Sequence, residues 1–457
     1  MRQALFFLLV PVLFAGCTSN HKKEMQLLAG ELDSSLKNDL LKAWYPIAID
    51  TVYDGFLSDF AYDWQPAGTQ DKMLVTQARH IWTTSSAAMF YKDRKYLDIA
   101  RHGYHFLKER MWDSVAGGFY MLLTRDGSQA VPAGSLNKNA YSNAFAIYAL
   151  SAYYKCSGDT TALQLAGRTF SWLDEHCHDP LYKGYFNNPL WKEPSMPQGS
   201  SAMITSTAAR TDWKDQNSSI HILEALTALY SCLPDSLLKE RLSEMLCLVR
   251  DSFAGDKGYL VQFMQRNWVP VSYRDSAAAV REANSFLDHV SFGHDVEAAY
   301  LMLEASHALG LEKDEKTLLM AKKMVDHAMA RGWDASKGGF YNEGYYLKPG
   351  DEISIIDSSK VWWVQAEGMN SLLLMSRLFP RENRYFKAFR KQWEYIKTWL
   401  IDHEHGGWYA NGLDSHYGSK KTPKGSIWKV NYHDSRALMN CIRMLKNEDE
   451  LVRKESK

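Results

Sequence analysis

The sequence predicts an all-α protein, an (α/α)6 barrel of six helical hairpins with short Gly-aromatic strands in the connections. Three observations carry this reading. First, apolar residues recur with helical spacing in about twelve segments, and these fall into pairs joined by tight links such as Lys92-Asp93 and Gly310-Leu311. Second, a Gly-aromatic signal recurs: Gly117-Gly118-Phe119-Tyr120, Gly184-Tyr185-Phe186, Gly258-Tyr259-Leu260, Gly338-Gly339-Phe340-Tyr341 and Gly406-Gly407-Trp408-Tyr409. The copies are roughly 65 to 80 residues apart, two helices plus a connection, which is the mark of one closed repeat architecture and not of several domains. Third, alternate helices carry polar and aromatic residues in their early turns, as an inner ring lining a pocket would.

The elements follow in order. Arg2, the apolar run from Ala4 to Phe14 and the small residues before Cys17 form a targeting segment, 1–17. Cys17 directly after Ala15-Gly16 resembles a bacterial lipobox, so Cys17 is the expected lipidation site and the protein is expected on the cell envelope, facing the periplasm. A tether, 18–23, then leads into a single catalytic domain over 24–450. The helical segments lie near 24–45, 70–91, 94–111, 138–156, 159–176, 215–233, 235–254, 290–309, 312–331, 358–378, 382–402 and 431–446. The remaining cysteines, Cys156, Cys177, Cys232, Cys247 and Cys441, are odd in number and read as buried small hydrophobes, not as a disulfide framework.

Composition excludes some classes. Formal net charge is zero, so nucleic-acid binding has no electrostatic footprint. No stretch is long enough to span a bilayer, which leaves the lipid as the only expected membrane contact. The 15 Trp and 25 Tyr suit a core of large residues, with some left over to face sugar rings. No cofactor is expected, a monomer is expected, and the expected partner is a small carbohydrate.

The inner-ring segments hold the candidate chemistry. His221, His294 and His433 lie on three of them, and imidazole is the side chain best suited to give and take protons near neutral pH. Glu224 and Glu297 sit three residues beyond His221 and His294, a spacing that orients a carboxylate toward the imidazole on its own helix. Arg79 can anchor a substrate oxygen, and Trp363 and Trp428 can stack on sugar rings. This set suits removal of a proton beside a carbonyl, as in C2 epimerisation of an open-chain aldose; proton return at C1 would give a ketose. The histidines show no metal-binding spacing, and the close pairs His176/His178 and His403/His405 lie in turns, so no metal is expected. A glycoside hydrolase using Glu297 and Glu367, or an inactive glycan-binding lipoprotein, are the alternatives from other classes.

Five ordered motifs then resemble one family. Arg79-His-Ile-Trp-Thr83, Asn217-Ser-Ser-Ile-His-Ile-Leu-Glu-Ala225, Gly293-His-Asp-Val-Glu-Ala298, Trp362-Trp-Val-Gln-Ala-Glu367 and Trp428-Lys-Val-Asn-Tyr-His433 are similar to the N-acylglucosamine 2-epimerase superfamily, and within it to the cellobiose 2-epimerases. The resemblance implies metal-independent epimerisation of a reducing-end sugar through ring opening and a cis-enediol. It implies His294 and His433 as the acid/base pair, His221 in ring opening, and Arg79 on the C1 and C2 oxygens. Glu297 and Glu367 would orient the histidines and bind hydroxyls, Trp363 and Trp428 would pack on the sugars, and Tyr141 and Asn217 would hydrogen-bond in the pocket. Three positions depart from the cellobiose enzymes: Ser219 for a usual His, Tyr300 for a usual Trp in the substrate wall, and Asp434 for a usual Asn. An N-acylglucosamine or other monosaccharide epimerase is the alternative within the family.

Overall fold

The computed structural model describes residues 11–132, 137–189, 212–311, 313–347 and 353–452, with side chains from residue 22 onward. Residues 1–10 and the side chains of Cys17 and of residues 18–21 therefore lie outside the described residues, while the backbone of the expected 18–23 tether runs within the first helix, Pro11–Ser35.

In chain order the helices are α1 (Pro11–Ser35), a single turn α2 (Lys42–Trp44), α3 (Leu74–Tyr91), α4 (Arg94–Phe106), α5 (Ala140–Ser157), α6 (Thr160–Cys177), α7 (Gln216–Tyr230) and α8 (Ser236–Cys247). They continue with α9 (Ala278–Asp288), α10 (Phe292–Ala308), α11 (Glu315–Arg331), α12 (Trp362–Leu378), α13 (Arg384–Trp399) and α14 (Tyr432–Lys446). Helices α3, α5, α7, α10, α12 and α14 pack each on the next, and α14 packs back on α3, closing an inner ring. Helices α4, α6, α8, α11 and α13 back their inner partners from outside, and α1 backs α14, so the first and last barrel helices form the sixth hairpin.

Burial separates the two rings. Every residue of α5 from Ala140 to Tyr153 is buried, as a helix walled on all sides requires. Outer helix α4 buries only Ile99, Ala100, Gly103, Tyr104 and Phe106, a single stripe at three- and four-residue spacing. The hairpin turns are specified locally. Lys92 closes α3 in the left-handed conformation, and the Asp93 carboxylate caps α4 by accepting from Lys95 N–H.

Four of the five Gly-aromatic segments, all but Gly258-Tyr259-Leu260, are tight turns closed by single bridges, such as Trp112 with Phe119 and Trp333 with Phe340. A sixth copy, Gly55-Phe56, bridges Ile49. The longer strands lie beside them: β1 (Lys72–Met73) with β2 (Leu122–Leu123), β3 (Trp213–Asp215) with β4 (Phe263–Gln265), and a sheet of β5 (Val290–Ser291), β6 (Glu343–Tyr346) and β7 (Ile353–Asp357). All pair antiparallel.

Each Gly turn but one is pinned by a buried ion pair. An Asp accepts backbone N–H groups inside the turn and holds a Lys from the connection into an inner helix: Asp50–Lys72 at 2.8 Å, Asp113–Lys138 at 2.7 Å, Asp179–Lys214 at 3.0 Å, Asp334–Lys360 at 2.8 Å, and Asp402 with Lys424. Inner-helix amides grip the turn from the other side: Gln77 Oε1 accepts from Phe56 N–H at 2.7 Å, and Gln365 Oε1 from Phe340 N–H at 2.9 Å. The repeat that leads into α10 departs. Phe253 stands five residues before Gly258, where the other turns have Asp, Val290 stands at the Lys place, and that repeat carries α9, which the two-helix periodicity did not predict.

Among the five described cysteines none is disulfide-bonded. Cys177 and Cys441 are buried as expected, Cys156 and Cys232 are half-buried, and Cys247 is exposed because it falls on the outer face of α8. Among the described residues no helix is long and apolar enough to cross a membrane.

Candidate active site

The early turns of the inner helices meet at one end of the barrel. His221, on α7, rests its Nδ1 atom 2.9 Å from Glu224 Oε2, while its ring lies against Tyr141 and Phe145 of α5. His433, on α14, rests its Nδ1 atom 2.8 Å from Glu367 Oε1 and 3.7 Å from Glu297 Oε1. His294, on α10, lies with its ring centroid 4.8 Å from that of Trp363, and the His433 ring lies 5.7 Å from the same indole. Trp363 can press on α10 because residue 293 is glycine: a Cβ there would stand 2.6 Å from the indole.

One expectation is corrected. Glu224 does orient the imidazole on its own helix, but Glu297 does not orient His294. Glu297 turns to Arg436 of α14, its Oε1 2.5 Å from Nη2, and His294 Nδ1 is held instead by Gln216 Nε2 at 2.9 Å. A buried guanidinium attracts a carboxylate more strongly than a neutral imidazole does.

Arg436 is the centre of a charge cluster. It pairs with Glu224, with Glu297, and with Glu367 at 2.6 Å, and donates to the Tyr432 hydroxyl at 2.5 Å. One guanidinium cannot neutralise three carboxylates, so protons make up the difference. Burial, followed by the charge of Glu367, pushes the Glu297 carboxyl up to about 7. Burial pushes Glu367 up to about 7 as well, against the pull of Arg436. At Glu224 burial also pushes upward, but Arg436 and His221 outweigh it and hold that carboxyl at about 2. The Oε2 atoms of Glu297 and Glu367 are buried with no partner among the described residues. Ligand atoms of Glu297, Glu367 and His433 lie within 4.8 Å of one another, close enough to suit a metal ion. Arg436 already supplies the positive charge to both carboxylates there.

The other expected residues take these places. Arg79, buried on α3, donates from Nη1 to the Trp428 carbonyl at 3.0 Å and from Nη2 to the Tyr141 hydroxyl at 3.4 Å, with its guanidinium over the Phe145 and Tyr432 rings. Trp428 is 42% exposed, so its indole stands on the rim. Asn217 is half-buried in the first turn of α7, next to Gln216. Tyr300 stands apart from the histidines. Its hydroxyl accepts from Asn440 Nδ2 at 3.0 Å, and its ring lies below Arg436, whose guanidinium is 5.9 Å from the centroid. Of the turn histidines, His178 Nε2 is 2.8 Å from Glu244, and His403 Nε2 is 2.8 Å from the Lys397 carbonyl.

The sequence reading missed Arg436 and Gln216. Arg436 follows His433 by three residues, the same spacing that drew attention to Glu224, so the signal was present. Nothing local in the sequence marks Gln216, because its partner His294 lies on the neighbouring inner helix.

Set on a helical barrel, these imidazoles, carboxylates and guanidinium groups belong with the carbohydrate epimerases and isomerases. The chain is a member of the N-acylglucosamine 2-epimerase (GlcNAc 2-epimerase) family, whose sequence profile matches residues 55–437. It is 26% identical over 429 residues to a cellobiose 2-epimerase of Dictyoglomus turgidum, covering 92% of this chain and 100% of that one. It is 25% identical over 412 residues to a D-mannose isomerase of Marinomonas mediterranea, covering 88% and 94%. The solved structure of cellobiose 2-epimerase from Spirochaeta thermophila superposes with a TM-score of 0.74 at 27% identity, covering 93% of this chain and 98% of that one.

Proposed function

We propose that this protein inverts C2 of the reducing-end sugar of a β-linked disaccharide or oligosaccharide. The observation that carries the reading is the placement of His294 and His433 against one indole, Trp363, each held at Nδ1 by a side chain of another helix. Two separately held imidazoles serve the two faces of one sugar carbon. On the open-chain aldose, one imidazole takes the C2 proton. The C–H pair becomes the C1–C2 double bond, and the carbonyl π pair moves to O1. The other imidazole gives a proton to the opposite face of C2, and the carbonyl re-forms. Arg79 holds the developing oxyanion, and His221 moves protons during ring opening. Trp363 and rim residue Trp428 pack on the two sugar units. The likeness to cellobiose 2-epimerases across nearly the whole chain supports this reading.

Incubation with cellobiose and with mannobiose in heavy water tests it. The expected result is the C2 epimer carrying deuterium at C2; neither product nor exchange from either sugar would remove both as substrates. The D-mannose isomerase relative gives weight to a second reading, in which the proton returns to C1. A ketose product would select that reading.

The segment ending Ala15-Gly16-Cys17 supports a lipid anchor on Cys17 and a place on the bacterial cell envelope, facing the periplasm. Metabolic labelling with a radioactive fatty acid tests this: label is expected on the parent and absent from Cys17→Ala, and an unlabelled parent excludes the anchor.

A further inference from the structure

The proposed acid and base are backed unequally. His433 Nδ1 meets Glu367 at 2.8 Å, with Glu297 at 3.7 Å. His294 Nδ1 meets only a neutral amide, Gln216 Nε2 at 2.9 Å. That amide is fastened in turn. Gln216 opens α7, its backbone N–H donates to the Gln262 carbonyl at 3.0 Å, and its Nε2 lies 3.4 Å from Gln262 Oε1. Gln216 is 1% exposed and Gln262 is 7% exposed, so water does not reach the amides freely.

Two atoms of this chain are left over. Gln216 Oε1 and Gln262 Nε2 are both buried without a partner among the described residues. Turned over together, the two amides keep their places and exchange roles: Gln262 Nε2 donates to Gln216 Oε1, and that oxygen accepts from His294 Nδ1–H. The ring is therefore held whether Nδ1 is bare or protonated. His221 on α7 and His289 ahead of β5 bear on His294, and His294 in turn bears on His433 of α14, so the charges felt around this ring are basic. Among the described residues no carboxylate hydrogen-bonds to His294.

An acid/base pair that works on opposite faces needs one proton between its members, not two and not none. The geometry points to Gln216 as a positioning residue: it holds His294 with a neutral, reversible amide, so that the resting proton of the pair is stored in the His433–Glu367–Glu297 cluster. Burial lowers the proton affinity of both imidazoles, and Arg79 and Arg436 lower that of His433 further, whereas burial raises the Glu297 and Glu367 carboxyls, so the stored proton lies on the carboxyl side of that cluster. The inference rests on the 2-epimerase reading above.

The test compares Gln216→Glu with Gln216→Met, each checked by thermal melting against the parent. Placing a carboxylate at His294 Nδ1 makes both members alike, so Gln216→Glu is expected to hold a second proton near neutrality. The acid limb of its kcat/KM profile should move upward by about one pH unit or more, with loss at pH 6 exceeding loss at pH 8. Gln216→Met should lower kcat about tenfold or more at every pH, with KM little changed and the limb unmoved. Parallel profiles for Gln216→Glu and the parent overturn the inference. Nitrogen NMR of histidine-labelled protein, with the His294 signal assigned by His294→Asn, gives a readout independent of turnover. The signal should titrate near neutrality in Gln216→Glu and not in the parent, and the same titration in both proteins also overturns the inference. If the NMR difference appears but neither protein epimerises any disaccharide, it is the proposed function that fails.

Discussion

The imidazole of His433 stands 2.8 Å from the carboxylate of Glu367, Nδ1 to Oε1. A carboxylate at Nδ1 fixes the proton there and leaves the lone pair on Nε2, the atom a base needs. His433→Ala is therefore expected to lower kcat at least about a hundredfold. Glu367→Gln should lower it about ten- to a hundredfold while KM changes little. Steady-state kinetics on the preferred disaccharide checks both, and a His433→Ala enzyme of near-parental rate would refute the role.

Arg436 is 1% exposed and carries the only positive charge bonded to Glu297 and Glu367 among the described residues. Arg436→Leu leaves three carboxylates facing one another. A loss of about 3–5 kcal/mol is expected at pH 8, because buried charge then goes uncompensated. The loss should be smaller at pH 5, where protons replace the guanidinium. Urea unfolding at the two pH values measures the difference.

Glu297 gives a pH dependence of definite sign. Its carboxyl is at about 7 when folded, above the ordinary value of 4.5. Between those values the folded state binds more protons than the unfolded one, so the contribution of this group to stability falls as pH rises from about 4.5 to about 7. Glu297→Gln removes that slope. The variant should gain stability relative to the parent from pH 5 to pH 8, read as the shift between their urea midpoints; a constant difference would show that Glu297 does not titrate there.

The turn clamps give the opposite sign. Burial raises the Asp113 carboxyl, but Lys138 and the N–H groups of Ala116 and Val115 outweigh it and hold the group at about 2. Its stabilisation is present above the ordinary carboxylate value and is lost as pH falls toward 2. Lys138→Met is expected to cost about 3–5 kcal/mol at pH 7, because it strands a buried carboxylate. Chemical denaturation should show the deficit shrinking on acidification.

The helical pairing was legible because inner and outer helices differ in how many faces they bury, and apolar spacing reports that directly. The sixth Gly-aromatic copy, Gly55-Phe56, escaped notice because it precedes α3, before any repeat exists to compare it with. Helix α9 escaped because it breaks the rule of two helices per repeat. The three histidines stood out by type and motif. Their partners divide by distance along the chain: Glu224 is three residues from His221, whereas Gln216 and Glu367 reach His294 and His433 from other helices. Tyr300 was read from a motif position as part of the substrate wall. Its depth below Arg436 follows from helical rise, since six residues carry it about 9 Å along α10 from His294.

The sixth hairpin, α1 with α14, joins the front of the barrel to its back. Helix α14 brings both His433 and Arg436, so during synthesis on the ribosome the carboxylates of α7, α10 and α12 emerge before the guanidinium that neutralises them. Until the last inner helix arrives, Glu224, Glu297 and Glu367 repel one another and favour water over burial. The catalytic centre and the closure of the ring are thus a single late event, and no shorter nascent chain can hold an assembled site.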